Sequence, residues 1–247
     1  MPASHASGVL YLIPNALGAG ALQTVLPAQT AAIAARLDCF IGENAKSTRA
    51  FLKRVAEVAP LRHALQDIAI SELHVDTHRD ELPHMLEPIA AGRDAGLVSE
   101  AGCPAIADPG AELVRLAHLR GVPVRPLVGP SAILLALMAS GLDGQRFAFN
   151  GYLPIDAAKR ARAIRDCERR SANERQTQIF IETPYRNRVL LNALAETCAP
   201  DTLICVATDL TLDTESIATR PARAWRDSKV DLDKRATVFL LLAAAGS

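Results

Sequence analysis

Short apolar runs along the chain alternate with longer segments in which hydrophobic positions recur every three or four residues. The short runs read as β-strands and the longer ones as amphipathic helices. In the first half this pattern predicts strands at residues 8–14, 38–43, 70–75, 96–100 and 122–127. Helices are predicted between them at 27–36, 47–58, 80–92 and 109–120. Strand–helix–strand alternation implies parallel pairing, because a crossover helix is what joins parallel neighbours.

The second half repeats the alternation with different punctuation. A helix is predicted at 131–140, a strand at 146–152, a charged helix at 155–170, a strand at 177–182 and a helix at 187–197. Further strands follow at 202–208 and 236–243. Some of these strands are joined by hairpin-like stretches, so a mixed sheet is expected here. Pro126 and Pro130 bracket a stiff connection and mark the boundary. The expected fold class is therefore α/β with two α/β domains: an N-terminal one, residues 1–128, with a mainly parallel sheet, and a C-terminal one, residues 129–247, with a mixed sheet.

Composition narrows the picture. The chain has 247 residues, 49% of them hydrophobic, enough for a sizeable core, which excludes a disordered tail or a disulfide-stapled miniprotein. Basic and acidic residues balance at 27 each, which argues against coating nucleic acid by bulk charge and leaves room for a local basic patch. The five cysteines (Cys39, Cys103, Cys167, Cys198 and Cys205) are odd in number and show no Cys-x-x-Cys spacing, so buried free thiols in a reducing compartment are expected. Residues 1–7 carry no Lys or Arg, and Pro14 breaks the apolar run after them. Neither a signal peptide nor a membrane span is expected, and the sequence reads as a soluble, cytoplasmic protein.

The most informative stretch is Ser99-Glu100-Ala101-Gly102-Cys103-Pro104-Ala105-Ile106-Ala107-Asp108-Pro109-Gly110. An apolar strand runs into Ser99 and Glu100, a Gly/Pro-rich loop follows, and Asp108-Pro109 is expected to open a helix as N-cap and first residue. Ligands of open parallel sheets sit outside the carboxyl ends of the strands, and Gly102 would let backbone approach one closely. The same logic recurs in Pro126-Leu127-Val128-Gly129-Pro130-Ser131-Ala132, with Ser131 at a helix start. It recurs again in Glu182-Thr183-Pro184-Tyr185-Arg186 and in the Pro14-Asn15-Ala16-Leu17-Gly18 loop. None of these is a Gly-x-Gly-x-x-Gly turn or a Walker loop.

At these residues the chain resembles the tetrapyrrole-methylase superfamily of S-adenosylmethionine (SAM)-dependent methyltransferases. It is most similar to the RsmI-like branch, whose best-studied members methylate a ribose 2′-hydroxyl of 16S ribosomal RNA. The likeness runs from the Leu-Tyr-Leu-Ile-Pro strand to about Trp225, and the Ser99 to Gly110 pattern is long and specific. It implies SAM held in the cleft between two α/β domains, and a homodimer. Carried over by position, Pro14, Ser99, Glu100, Ala101 and Gly102 would line the cofactor, with Asp108 supporting the loop. Ser131 and Ala132 would touch its methionine or adenosine part, and Thr183 with Tyr185 would close the pocket from the second domain.

Two segments depart from the branch. Glu43-Asn44-Ala45-Lys46 stands where Glu-Asp-Thr-Arg is typical. Leu210-Thr211-Leu212-Asp213-Thr214-Glu215 keeps Glu215 of a Leu-Thr-Lys-x-x-Glu segment and lacks its lysine. The chain is also shorter at its C-terminus. These differences bear on which rRNA nucleotide is the acceptor.

Methylating a hydroxyl needs alignment and a general base. Glu43, Glu100 and Glu182, all at strand ends, are the candidates, each also readable as a cap or ion-pair partner. His74, His78 and His84 straddle a strand and a helix and read as polar surface residues, so no metal is expected. Trp225 reads as core. The stretch from Lys159 through Arg162, Arg165, Arg169 and Arg170 to Arg175 reads first as a solvated helix face and second as an RNA-facing stripe. The partners expected are rRNA or the small ribosomal subunit, with no membrane. The same residues also accommodate methylation of a small tetrapyrrole-like molecule, or a SAM-binding module without catalysis.

Overall fold

The computed structural model describes residues 7–244. The chain divides into two compact units, one running to Ser131 and the other beginning at Ala132.

The first unit is built on five strands: β1 (Leu10–Ile13), β2 (Cys39–Gly42), β3 (Ala69–Glu72), β4 (Ala95–Val98) and β5 (Val124–Pro126). All pairs are parallel, in the order β3-β2-β4-β1-β5. The connecting helices are α1 (Ala28–Arg36), α2 (Ala45–Ala56), α3 (Leu82–Ala90) and α4 (Ala111–Leu119). Successive strand residues point to opposite faces, and the sequence sorts itself accordingly. Tyr11, Ile13, Phe40 and Val98 pack with Phe51, Leu52 and Val55 of α2. Leu10, Cys39, Ile41 and Leu97 pack with Leu86 and Ile89 of α3 and Leu113 of α4. Both faces of the sheet are covered, as an all-parallel sheet requires.

The strands are shorter than the apolar runs suggest. The β3 ladder ends at Glu72 because His74 to Thr77 form a turn, the Thr77 hydroxyl accepting the His74 N–H at 2.7 Å. β5 begins only at Val124, since the Val122 N–H is bonded to the Ala117 carbonyl at the end of α4 and Pro123 has no N–H to contribute.

The second unit has strands β6 (Phe147–Phe149), β7 (Thr177–Ile181), β8 (Leu203–Thr208), β9 (Ser216–Pro221) and β10 (Thr237–Leu242). Their order is β6-β7-β10-β8-β9; β6 and β7 are parallel and the other pairs antiparallel. Its helices are α5 (Ala132–Ser140), α6 (Ala157–Glu174) and α7 (Asn187–Thr197). Trp225 is fully buried here, its indole N–H donating to the Ile204 carbonyl at 3.0 Å, among Phe180, Leu194, Val206 and Phe239. Strand β9 lies in a stretch to which the hydrophobic pattern assigned no element. Ser-Ile-Ala-Thr-Arg-Pro is a half-exposed edge strand that lacks a clean alternation.

Candidate functional site

The carboxyl ends of β1, β2, β4 and β5 lie at one edge of the first sheet, because all four strands run the same way. The chain leaving β1 and the chain leaving β4 are tied together there. Asn15 and Gly102 exchange backbone hydrogen bonds at 2.9 and 3.1 Å. The buried Asn15 amide donates to the carbonyls of Ser99 (3.2 Å) and Glu100 (3.0 Å), and its oxygen accepts from Ala16 N–H at 2.8 Å. Asn15 therefore fixes the course of the Ser99 to Gly102 backbone. The sequence reading passed over it; the signal available was a side chain able both to donate and to accept directly after a strand-ending proline.

The loop from 99 to 110 is unusually demanding of its backbone. Gly102, Ala105, Ala107 and Gly110 all have positive φ, at 69°, 65°, 65° and 134°. The left-handed φ of Gly102 favours glycine there, and a Cβ at that position would come within 3.3 Å of the Leu17 side chain. Asp108 does not cap α4, contrary to expectation. The helix starts at Ala111 with Gly110 in the capping position, because the left-handed turns at Ala107 and Gly110 delay helical geometry by two residues. Asp108 instead turns toward Ser99, whose hydroxyl hydrogen-bonds it and lies within 3.1 and 3.3 Å of the Ala101 and Gly102 carbonyls.

Three carboxylates gather at this edge. The Glu43 carboxylate, just past β2, lies 3.5 Å from the Glu100 N–H. Burial pushes the Asp108 carboxyl up to about 6, with the Glu43 and Glu100 charges adding to the rise and the Ser99 hydrogen bond opposing it. Burial also raises Glu43, against the pull of the Glu100 N–H. Glu100 is exposed. Asn44, which departs from the family pattern, accepts from the N–H groups of Lys46 (2.8 Å) and Ser47 (3.2 Å) as the N-cap of α2. It does the job an aspartate does at that position.

The loop after β5 packs on the same edge. A Cβ on Gly129 would stand 2.3 Å from the Pro14 ring, so backbone meets proline directly. The Thr30 hydroxyl donates to the Val128 carbonyl at 2.8 Å, and the Cys103 thiol lies 3.5 Å from the Pro130 carbonyl. Pro14, Glu43, Ser99, Glu100, Ala101, Gly102 and Asp108 are thus brought together, with Ser131 at the end of the adjoining loop.

The second unit carries its candidates at the end of β7. Glu182 is buried and committed to local structure. It pairs with Arg186 at 3.0 Å and accepts the Thr183 N–H at 2.8 Å. Thr183 and Tyr185 are exposed beside it. Ala132 is the first residue of α5. Glu215 closes a turn by accepting the Thr211 N–H at 2.8 Å. His74 pairs with Glu72 at 3.5 Å and His84 with Glu87 at 2.8 Å. Among the described residues no group of His, Cys, Asp or Glu could hold a metal ion, and no helix is long and apolar enough to cross a membrane. Cys39, Cys167, Cys198 and Cys205 are buried and free, and Cys103 is half-buried and free.

Residues 10–224 match the family of tetrapyrrole (corrin/porphyrin) methylases. The ribosomal RNA small subunit methyltransferase I of Pseudomonas aeruginosa is 36% identical over 154 residues, covering 59% of this chain and 52% of the relative. The protein of the same name from Mesorhizobium japonicum is 30% identical over 227 residues, covering 92% of this chain and 72% of the relative. The chain thus spans about half the length of the first of these. Among solved structures, the methyltransferase CobJ aligns over 97% of this chain and 95% of its own, with a TM-score of 0.62 and 22% identity, a likeness of fold.

Proposed function

The chain belongs to the tetrapyrrole methylase family, and from that premise we propose that it is a SAM-dependent methyltransferase acting on a ribose 2′-hydroxyl of small-subunit ribosomal RNA. The observation that carries this reading is the edge formed by Ser99, Gly102 and Asp108, locked by Asn15 and flanked by Glu43 and Glu100. The relatives that carry the rRNA name support the choice of acceptor.

The residues fit a sulfonium donor. Backbone carbonyls at a glycine turn offer hydrogen-bond acceptors without a side chain in the way, and a carboxylate-rich edge complements the positive sulfonium and ammonium groups. Pro14, Ser99, Ala101, Gly102 and Ser131 would hold the donor, with Asp108 supporting the loop and Ala132, Thr183 and Tyr185 completing the set. SAM, when bound, supplies a methyl group already attached to a good leaving group.

What remains for the chain is to orient the acceptor hydroxyl and take its proton. Glu43 is assigned that proton. It is half-buried, burial raises its proton affinity, and the 3.5 Å contact with the Glu100 N–H leaves acceptor capacity to spare. Glu100, exposed beside it, would orient the ribose. Glu182 is assigned a structural role, since Arg186 and the Thr183 N–H already occupy its oxygens. Homodimerisation and a cytoplasmic site of action belong to the same reading. The dimer is supported by the outward Leu134 and Met138, 50% and 80% exposed one turn apart on α5.

The test is transfer of labelled methyl from SAM to small ribosomal subunits isolated from a strain lacking the relevant methylation. Ribose label that appears with the wild type and vanishes with Glu43→Gln is expected. Calorimetric binding of SAM without transfer to any RNA would overturn the assignment.

A further inference from the structure

Helix α6 carries a row of exposed cations that its own fold compensates only at Arg169. Its inner face is settled: Ile164, Cys167 and Ser171 are buried, and Arg160 donates to the Ile155 carbonyl at 2.8 Å. Arg170 reaches the Asn150 side-chain oxygen at 3.1 Å. The opposite face exposes Lys159, Arg162, Arg165 and Arg169. With a rise of about 1.5 Å per residue these four span about 15 Å of helix.

Sequence spacing offers acidic partners to each of them, yet only Arg169 keeps one. Asp156 accepts the Lys159 backbone N–H as N-cap at 2.9 Å. Glu168 turns inward to the Ala199 N–H and the Thr202 hydroxyl. Asp166 pairs with Arg169 at 2.8 Å. Lys159, Arg162 and Arg165 make no ion pair with any described residue. Like charges three or four residues apart repel, and Lys159, in the first turn, opposes the helix dipole. The helix thus bears a local electrostatic cost that an anionic polymer would relieve.

We infer that the outer face of α6, from Lys159 to Arg169, is a phosphate-gripping track for the RNA substrate. The inference rests on the functional reading above and adds to it where the RNA backbone is held. Contacts of this kind position a nucleic acid without reading its sequence. They also fit a chain whose basic and acidic residues balance at 27 each, because a local cluster is enough for such contacts.

The experiment compares the full-length wild type with the triple variant Arg162→Ala/Arg165→Ala/Arg169→Ala and with the charge-preserving triple lysine variant. Binding to isolated small ribosomal subunits is measured across a salt series, alongside SAM binding and methyl transfer. The alanine variant should lose about tenfold or more in subunit affinity, and the slope of log affinity against log salt should fall by about 2 to 3. KM for the subunit should rise at unchanged kcat, SAM binding should be unaffected, and the lysine variant should regain the slope. An alanine variant with wild-type slope and KM overturns the track. Failure of the wild type to label subunits would instead overturn the functional reading, while the salt slope still decides the track.

Discussion

Asn15 and Gly102, 87 positions apart in the sequence, form a two-residue antiparallel bridge at the edge of an otherwise all-parallel sheet. The bridge joins the loops leaving β1 and β4, and the Asn15 side chain then binds the two carbonyls that precede it on the β4 side.

Replacing Asn15 by alanine strips both carbonyls of their amide donor in a buried setting. Loss of about 1–3 kcal/mol of stability is expected, together with weakened SAM binding. Urea unfolding and calorimetry on the same preparation separate the two effects. Stability falling while SAM affinity holds would show that the loop keeps its course without the clamp.

Asp108 gives a pH signature. Its folded carboxyl titrates at about 6, against an ordinary 3.8. A raised carboxyl binds its proton more tightly in the folded state. It therefore costs the fold nothing below about pH 4, and the cost grows as pH rises through about 6. The variant Asp108→Asn should gain stability relative to the wild type between those values and hold the gain at pH 8. Thermal melts of both proteins from pH 4 to 8 would show the curves diverging upward; parallel curves would contradict the assignment.

Glu43 and Glu182 should separate cleanly. Glu43→Gln should reduce methyl transfer by about 10²- to 10⁴-fold, as loss of a general base does, with little change in stability. Glu182→Gln should lower stability by about 2 kcal/mol, because the Arg186 guanidinium loses its buried partner. Its kcat should stay within a few-fold of wild type. Single-turnover kinetics and chemical denaturation on both variants check the division, and a reversed pattern would exchange the two roles.

Gly102→Ala should cost about 1 kcal/mol or more from its left-handed φ of 69° alone. The new methyl would also stand 3.3 Å from the Leu17 side chain, which must shift slightly to admit it. Slower or weaker SAM binding should accompany the loss of stability, as stopped-flow fluorescence would report.

Much of the architecture was legible because parallel strands buried on both faces leave strong marks. Leu10, Tyr11, Leu12 and Ile13 form an unbroken apolar run, and so do Cys39, Phe40 and Ile41. Strand β9 left no such mark, since an edge strand ending in Arg220 and Pro221 need not be apolar. The strand-end loops were found by their glycines and prolines, and Ser99 and Gly102 stand at the edge the spacing indicated. Asn15 was missed because its importance comes from residues more than eighty positions away. The expected capping role of Asp108 failed for a related reason: left-handed turns at Ala107 and Gly110, in a loop already turned that way at Ala105, shift the helix start, and composition does not announce them at the two alanines.

Those alanines carry a consequence of their own. At 105 and 107 glycine would adopt the same turns more cheaply, but it would also let the unbound loop wander through a broad ensemble. Alanine narrows that ensemble, so less motional freedom is surrendered when a ligand arrives. Rigidity set in advance, at the expense of some backbone comfort, would let a small site grip a small ligand.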